Sequence, residues 1–270
     1  MQLIKGTLRD ALGRIEGKKA YQRLFERLHA IALRGMHYGR GDQVEWSGEL
    51  DLIRYVCSSV ENNQDRIVLF DVGANIGKYT SALLEVFTKP NVKIHAFEPS
   101  AATFAQLNER FCRDRRVETH KFGFSDKRTV RRLYADQSLS GLASLYKRRL
   151  GHRNINLHSS ETVKLTTIDA FCRKHAIHQV HFLKLDVEGH ELSVLKGARR
   201  MLESGKISYI QWEFGGCNID SRTFFQDFYY LLNDRYTLYR IVKDGRQPVP
   251  QYQETLEIFT TANYLAELRS

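Results

Sequence analysis

Residues 67–77 read Ile67-Val-Leu-Phe-Asp71-Val-Gly73-Ala-Asn75-Ile-Gly77. An apolar run of strand length ends on an acid, crosses two glycines and enters a helix-like pattern, IGKYTSALLEVF (76–87). A strand that turns sharply into a helix is the usual nucleotide-holding place of an α/β protein. A phosphate-binding loop needs GxxxxGK followed by Ser or Thr. Here Gly77-Lys78 is followed by Tyr79, and the residue five before Gly77 is Val72. A dinucleotide turn needs GxGxxG and sets a pyrophosphate where Asp71 stands. Two like charges about 4 Å apart repel by on the order of 1–4 kcal/mol near a protein surface. The turn is therefore built for a cationic ligand.

S-adenosylmethionine meets that requirement, because it carries an ammonium and a sulfonium and no phosphate. Asp71 is then expected to reach its methionine end, with Gly73, Asn75 and Gly77 letting the backbone approach. The acids continue in register. Strand KIHAFE (93–98) ends on Glu98, 25 residues after Gly73, with Pro99 behind it. A carboxylate there can accept from both ribose hydroxyls. Strand VETHKF (117–122) leads into GFSD, whose Ser125 and Asp126 are expected near the adenine amino group. Ser47 reads as the cap of a helix from Gly48 to about Ser59, and Glu49 in its first turn joins the expected cofactor set.

Strand and helix patterns alternate along the rest of the chain. After GFSD comes a basic, less regular stretch from Lys127 to about Glu161, then strand ETVKLTTI and a short helix near 169–175. Strand HFLKLD (181–186) runs into one helix, HELSVLKGARRML, and strand YIQWEF (209–214) precedes helix SRTFFQDFYYLL. Two late strands are expected near 236–242 and 256–262. Such alternation, with near-continuous apolar strands, predicts a mostly parallel sheet covered by helices on both faces, with ligands beyond the carboxyl ends of the strands.

Charge is unevenly placed. Of the net +10, residues 1–40 carry +6 and residues 127–153 carry +7, so the remainder is acidic at −3. Residues 7–34 space their apolar side chains helically, with basic residues on the other face. For residues 1–45, an amino-terminal basic helical segment, docking on the core or pairing with a second copy is favoured over lying on a membrane; peripheral membrane contact stays open. The first residues carry charges where a signal peptide needs an apolar core. The four cysteines form no CxxC pair, which argues for a reducing, cytoplasmic setting.

In order along the chain, DVGANIGKYT, AFEPS, GFSDK, TVKLTTIDAF, FLKLDVEGHELSVLKGA and IQWEFGG resemble the FkbM-type S-adenosylmethionine-dependent methyltransferases. The resemblance implies a Rossmann-like class I methyltransferase fold over residues 46–270, with a seven-stranded, mostly parallel sheet and a basic insertion near 127–160. It also implies methyl transfer to oxygen, on a sugar hydroxyl of a glycan or on a secondary metabolite. The expected partner is a hydroxyl-bearing acceptor, an acidic glycan or a lipid-linked sugar among them.

The stretch KLDVEGHE gathers Lys184, Asp186, Glu188 and His190 at one strand end, with Glu213 on the next strand. Methyl transfer to an alcohol needs a base within hydrogen-bond reach, or a metal. His190, which titrates near neutrality, is the expected base. Asp186 is assigned to the cofactor ammonium or to substrate positioning, Glu188 and Glu213 to substrate hydroxyls or a divalent ion, and Lys184 to pairing with an acid. The spacing fixes no coordination geometry, and an obligatory metal is not expected. Three rivals stay open: a nucleic-acid methyltransferase, a non-catalytic binding subunit of the same fold, and an NAD-dependent oxidoreductase. The first lacks the prolines of a base-flipping turn near Asp186 and sets an acidic turn against phosphates.

Overall fold

The computed structural model describes residues 13–40, 47–61 and 66–269. The expected helix start before residue 13 lies outside the described residues. The first strand, β1 (Ile67–Val72), is buried along its whole length and pairs in parallel with β2 (Val92–Phe97) on one side and β7 (Val180–Leu185) on the other. β3 (Val117–His120) extends the sheet beyond β2, and β8 (Ile207–Phe214) lies beside β7 in the same direction. Past β8 come β11 (Ala262–Leu268), antiparallel to both neighbours, then β9 (Tyr236–Val242) and β10 (Gly245–Pro248). The order is β10-β9-β11-β8-β7-β1-β2-β3. One antiparallel member among the seven inner strands agrees with expectation. The eighth strand is new, and its Pro248 sits at the sheet edge, where a missing N–H does least harm.

Side-chain alternation along the strands builds two cores. Val68, Phe70 and Val72 face one side, with Leu183, Leu185, Trp212 and Phe214, under α5 (Ile168–Lys174), α6 (Glu191–Lys196), α7 (Arg199–Glu203) and α9 (Phe225–Leu232). Ile67 and Leu69 face the other, with Phe182, Ile94 and Ala96, under α2 (Glu49–Val60), α3 (Lys78–Val86) and α4 (Ala101–Phe111). A buried side chain of this size contributes about 1.5–3 kcal/mol, so both layers are needed.

Four local expectations are corrected. The basic stretch is not irregular: β5 (Thr129–Ala135) pairs antiparallel with β6 (Ser159–Thr166), which also pairs with β4 (Gly123–Phe124) in a separate three-stranded sheet. Leu133, Leu145, Val163 and Leu165 give it a small core of its own. The helix expected through HELSVLKGARRML breaks at Gly197, whose position leaves no room for a Cβ beside the Ser125 carbonyl, and the Asp169 carboxylate accepts from Arg200 N and Met201 N at 2.9 and 3.1 Å to start α7. The last strand begins at Ala262, because residues 254–256 form a 3-10 turn. Ser47 stands one residue before the cap of α2: Gly48 occupies the cap with φ +83°, where a Cβ would overlap the Val242 carbonyl, while Ser47 Oγ accepts from Glu49 N at 3.3 Å and donates to Glu49 Oε2 at 2.8 Å.

The amino-terminal helix α1 (Gln22–Gly35) buries none of its residues, and Leu24, Leu28 and Ile31 are exposed on one face. Among the described residues it is therefore not docked along the core, although Leu33 and Tyr38 reach it. α8 (Gly216–Ser221) is a short turn after β8. Among the described residues no helix is long and apolar enough to cross a membrane, and all four cysteines are free thiols.

Candidate active site

The strand order reverses between β1 and β7, the switch point at which open α/β sheets bind ligands. The ends of these two strands nearly touch there. Gly73 has φ +82°, and a Cβ on it would overlap the Asp186 carbonyl oxygen. Two connected cavities open from this crossing and share Gly73, Asn75, Gly141 and Asp186. The first, of about 90 Å³, lies over Glu98, Pro99, Gly123 and Phe124. The second, of about 340 Å³, is lined by Glu49, Tyr79, Lys184, Asp186, Glu213 and Asn263.

In the first cavity Glu98 is buried. Its Oε2 accepts from Asn75 N at 3.0 Å and its Oε1 from Ser100 N at 2.9 Å. Burial pushes this carboxyl up to about 7, against those two hydrogen bonds. Opposite it the wall is apolar, built by Phe124, Leu133, Leu145 and Leu165. Leu133 and Leu145 come from the basic stretch, expected as an insertion near 127–160. Their signal was available as isolated buried leucines within a cationic run.

Under the second cavity a polar row crosses three strands. Asp71 pairs in register with Lys184, and Lys184 with Gln211. Period-2 alternation sends all three toward α3, the side of Ile67 and Leu69, and not out over the strand ends. Asp71 is accordingly fully buried and lines neither cavity; its Oδ2 accepts from Thr80 Oγ1 at 2.6 Å, and its Oδ1 lies 3.7 Å from Lys184 Nζ. Lys184 Nζ also donates to Asp186 Oδ2 at 3.1 Å and sits 4.9 Å from the Tyr79 ring centroid. Burial alone would depress the Lys184 ammonium; Asp186, Asp71 and Glu49 outweigh it and hold the group above the ordinary lysine range. Gln211 donates to Glu49 and accepts from Tyr79. Tyr79, Gln211 and Asn263 belong to this site, and neither glycine spacing nor charge pattern marks them.

Glu213 ends β8 one pleat beyond Gln211, opposite Asn263. Among the described residues its carboxylate has no hydrogen-bond partner. Burial, together with Asp186, Glu188, Glu191 and Glu49, pushes it well above the glutamate range.

His190 lies elsewhere, on the wall of the first cavity. It is 2% exposed, and both ring nitrogens are engaged: Nε2 with Ser125 Oγ at 2.9 Å and Nδ1 with Tyr146 Oη at 3.0 Å. Ser125 gives its one proton to Asp126 Oδ1 at 2.9 Å. Nε2 is therefore the N–H, and Nδ1 accepts from Tyr146. Burial, then Arg131, holds the imidazole down at about 4. Ser125 and Asp126 line neither cavity; they anchor His190. Gly77 also lines neither, and closes the turn against Leu107 and Phe111.

The 186–190 turn is pinned from two directions. Glu188, at φ +51°, forms a buried ion pair with Arg148, and its carbonyl accepts from Ser144 Oγ at 2.8 Å. Glu191 Oε1 accepts from Val187 N at 2.9 Å and Gly189 N at 3.2 Å, while its Oε2 has no partner. Burial raises the Glu191 carboxyl to about 7. Because the folded-state value exceeds the unfolded one, its contribution to stability is full below the unfolded pKa near 4.5 and is lost as pH rises through about 7. Glu191→Gln keeps one acceptor for the turn and removes that titration. Its stability relative to the parent is expected to improve by on the order of 2 kcal/mol between pH 5 and pH 8, read by urea denaturation.

The only described cluster with metal-ligand proximity lines neither cavity. His95 Nδ1 and His120 Nε2 are 3.0 Å apart on β2 and β3, each 3.8 Å from the Glu118 carboxylate.

The sequence matches the Methyltransferase FkbM domain over residues 71–262. It is 33% identical over 160 residues to the hexuronic acid methyltransferase AglP of Haloferax volcanii, covering 58% of this chain and 59% of that one. To the 31-O-demethyl-FK506 methyltransferase FkbM of Streptomyces tacrolimicus it is 32% identical over 158 residues, covering 48% and 58%. The chain thus spans just under three fifths of the length of these two relatives. Among solved structures, the methyltransferase FkbM of Methylobacillus flagellatus KT aligns at 19% identity and TM-score 0.43, covering 78% of this chain and 47% of that one. With the domain match spanning most of the residues that build the sheet and both cavities, this chain belongs to the FkbM methyltransferase family.

Proposed function

We propose that this chain transfers a methyl group from S-adenosylmethionine to a hydroxyl of a sugar, glycan or secondary metabolite, with an acidic sugar as the leading acceptor. The observation that carries this reading is the Glu213 carboxylate, unpartnered among the described residues and set in a cavity that shares Gly73 and Asp186 with the one over Glu98. Two relatives named for a hexuronic acid and for 31-O-demethyl-FK506 support the acceptor class. The residues suit this cofactor and not a diphosphate: Glu49, Asp71 and Asp186 act on the Lys184 ammonium, and Glu213 adds a further carboxylate to a cavity that Lys78 also borders.

The cofactor supplies a methyl already activated by its sulfonium, so the protein's task is alignment and removal of one proton. In this reading Glu98 holds the ribose hydroxyls, and Phe124, Leu133 and Leu165 flank the base. Asp186, fixed by Lys184, meets the ammonium. Glu213 takes the acceptor's hydroxyl proton, in place of His190, whose nitrogens are already committed. Asp71 acts through Lys184. Glu98→Gln is expected to weaken S-adenosylhomocysteine binding by about 10–100-fold, because a charged acceptor of two hydroxyls becomes a neutral one. Calorimetry giving wild-type affinity would remove the cofactor assignment.

A further inference from the structure

A third concavity, of about 750 Å³, lies between α5 and the β5–β6 pair, outside the site described above. Lys121, Arg128, Lys164, Arg173 and Lys174 line it, and no acid does. Among the described residues none of the five lies within 4.0 Å of a carboxylate oxygen. All five are exposed, so their charge faces the groove without an internal counterpart. Leu165 lines both this groove and the cavity over Glu98, so the two lie side by side.

We propose that this groove binds a stretch of an anionic saccharide chain and so holds a polymeric acceptor at a second place, away from the reacting hydroxyl. The proposal rests on the sugar-acceptor reading and deepens it. Unpaired cations around one concavity attract repeated carboxylates or sulfates, and the threonine hydroxyls at 129 and 166 add hydrogen-bonding groups that suit a sugar. Single-stranded nucleic acid gains much of its affinity by stacking on exposed rings. Here Phe171 is buried, Phe122 is packed against Phe97 and Phe124, and the exposed ring on the lining, His175, is a lone imidazole already stacked on Phe171 at 4.3 Å, too little for a run of bases. A membrane surface is planar, whereas the charges here line a hollow.

The test uses the full chain and a defined probe, a fluorescently labelled galacturonic-acid oligosaccharide, with anisotropy read at low and physiological salt. Wild type is expected to bind, and the Lys164→Ala/Arg173→Ala/Lys174→Ala variant to lose about tenfold in affinity at low salt and less as salt rises. S-adenosylhomocysteine affinity is expected to be unchanged in that variant, which also reports that it folds. A charge-preserving variant, Lys164→Arg/Arg173→Lys/Lys174→Arg, is expected to keep the probe. Equal probe affinity in wild type and the alanine variant would overturn the proposal, as would no binding by wild type. Tighter groove-dependent binding of an RNA oligomer or of phosphatidylglycerol vesicles would overturn the saccharide assignment. Failure of S-adenosylhomocysteine to bind wild type would instead sink the proposed reaction, and it is read separately.

Discussion

Glu213→Gln is expected to lower kcat by about 10²–10⁴-fold while leaving S-adenosylhomocysteine affinity within about twofold of the parent. The substitution keeps the shape and one acceptor oxygen at the end of β8 and removes only the capacity to take a proton. The pH profile separates this role from a merely structural one. Burial and four neighbouring carboxylates raise the Glu213 pKa well above the ordinary value, so the proton-accepting form grows in only as pH rises through that elevated value. The parent's kcat should therefore climb with pH along a limb set above the usual glutamate range. The variant should lack that limb. A profile unchanged by the substitution, or a loss confined to KM, would move the base elsewhere. Removing one negative charge from so crowded an acidic site should also leave the fold as stable as before or more so, which thermal unfolding can read.

Gly73→Ala is the second large effect, and it falls on the fold. At φ +82° a Cβ costs about 1–2 kcal/mol in backbone energy alone. The larger part is steric. The added methyl would overlap the Asp186 carbonyl oxygen and press on Val187, so β1 and β7 would have to separate at the point where Asp186 N donates to Val72 O at 3.0 Å. A total loss of about 4 kcal/mol or more is expected by urea denaturation, with no measurable cofactor binding. Gly35→Ala provides the contrast, since no atom lies within 4 Å of its would-be Cβ and its φ is not left-handed. It should change stability by no more than about 0.5 kcal/mol.

How far the sequence carried can be argued residue by residue. The inner strands were legible because fully buried parallel strands read as unbroken apolar runs, and their acids fell at strand ends. β5 was missed because Arg131 and Arg132, both exposed on opposite faces of a half-buried strand, carry a charge signal stronger than its alternation. Asp71 was placed correctly on its strand and wrongly in direction: position along a strand is visible in sequence, but which face a terminal residue takes depends on parity with Ile67 and Leu69. His190 had the right chemistry for a base, and its partners, Ser125 and Tyr146, come from segments 65 and 44 residues away, where no local pattern could announce them. Glu213 was among the candidates, but its lack of a partner is a property of the folded neighbourhood.

The β5–β6 sheet has a final implication for how this scaffold can diversify. Asp186 and Glu213, to which the proposed reaction gives its chemistry, stand at the ends of deeply buried strands, where almost any replacement disturbs the central layers. The lid across the first cavity, by contrast, is a self-packed module around Leu133, Leu145, Val163 and Leu165, fastened to the catalytic turn chiefly through Arg148 on Glu188 and Tyr146 on His190. Length and composition ahead of those fasteners, over residues 136–143, can change without rebuilding the centre. That segment borders both cavities, through Ser140, Gly141 and Ala143 in the first and Leu139 and Gly141 in the second, so replacing it reshapes the binding walls while the strand ends stay as they are.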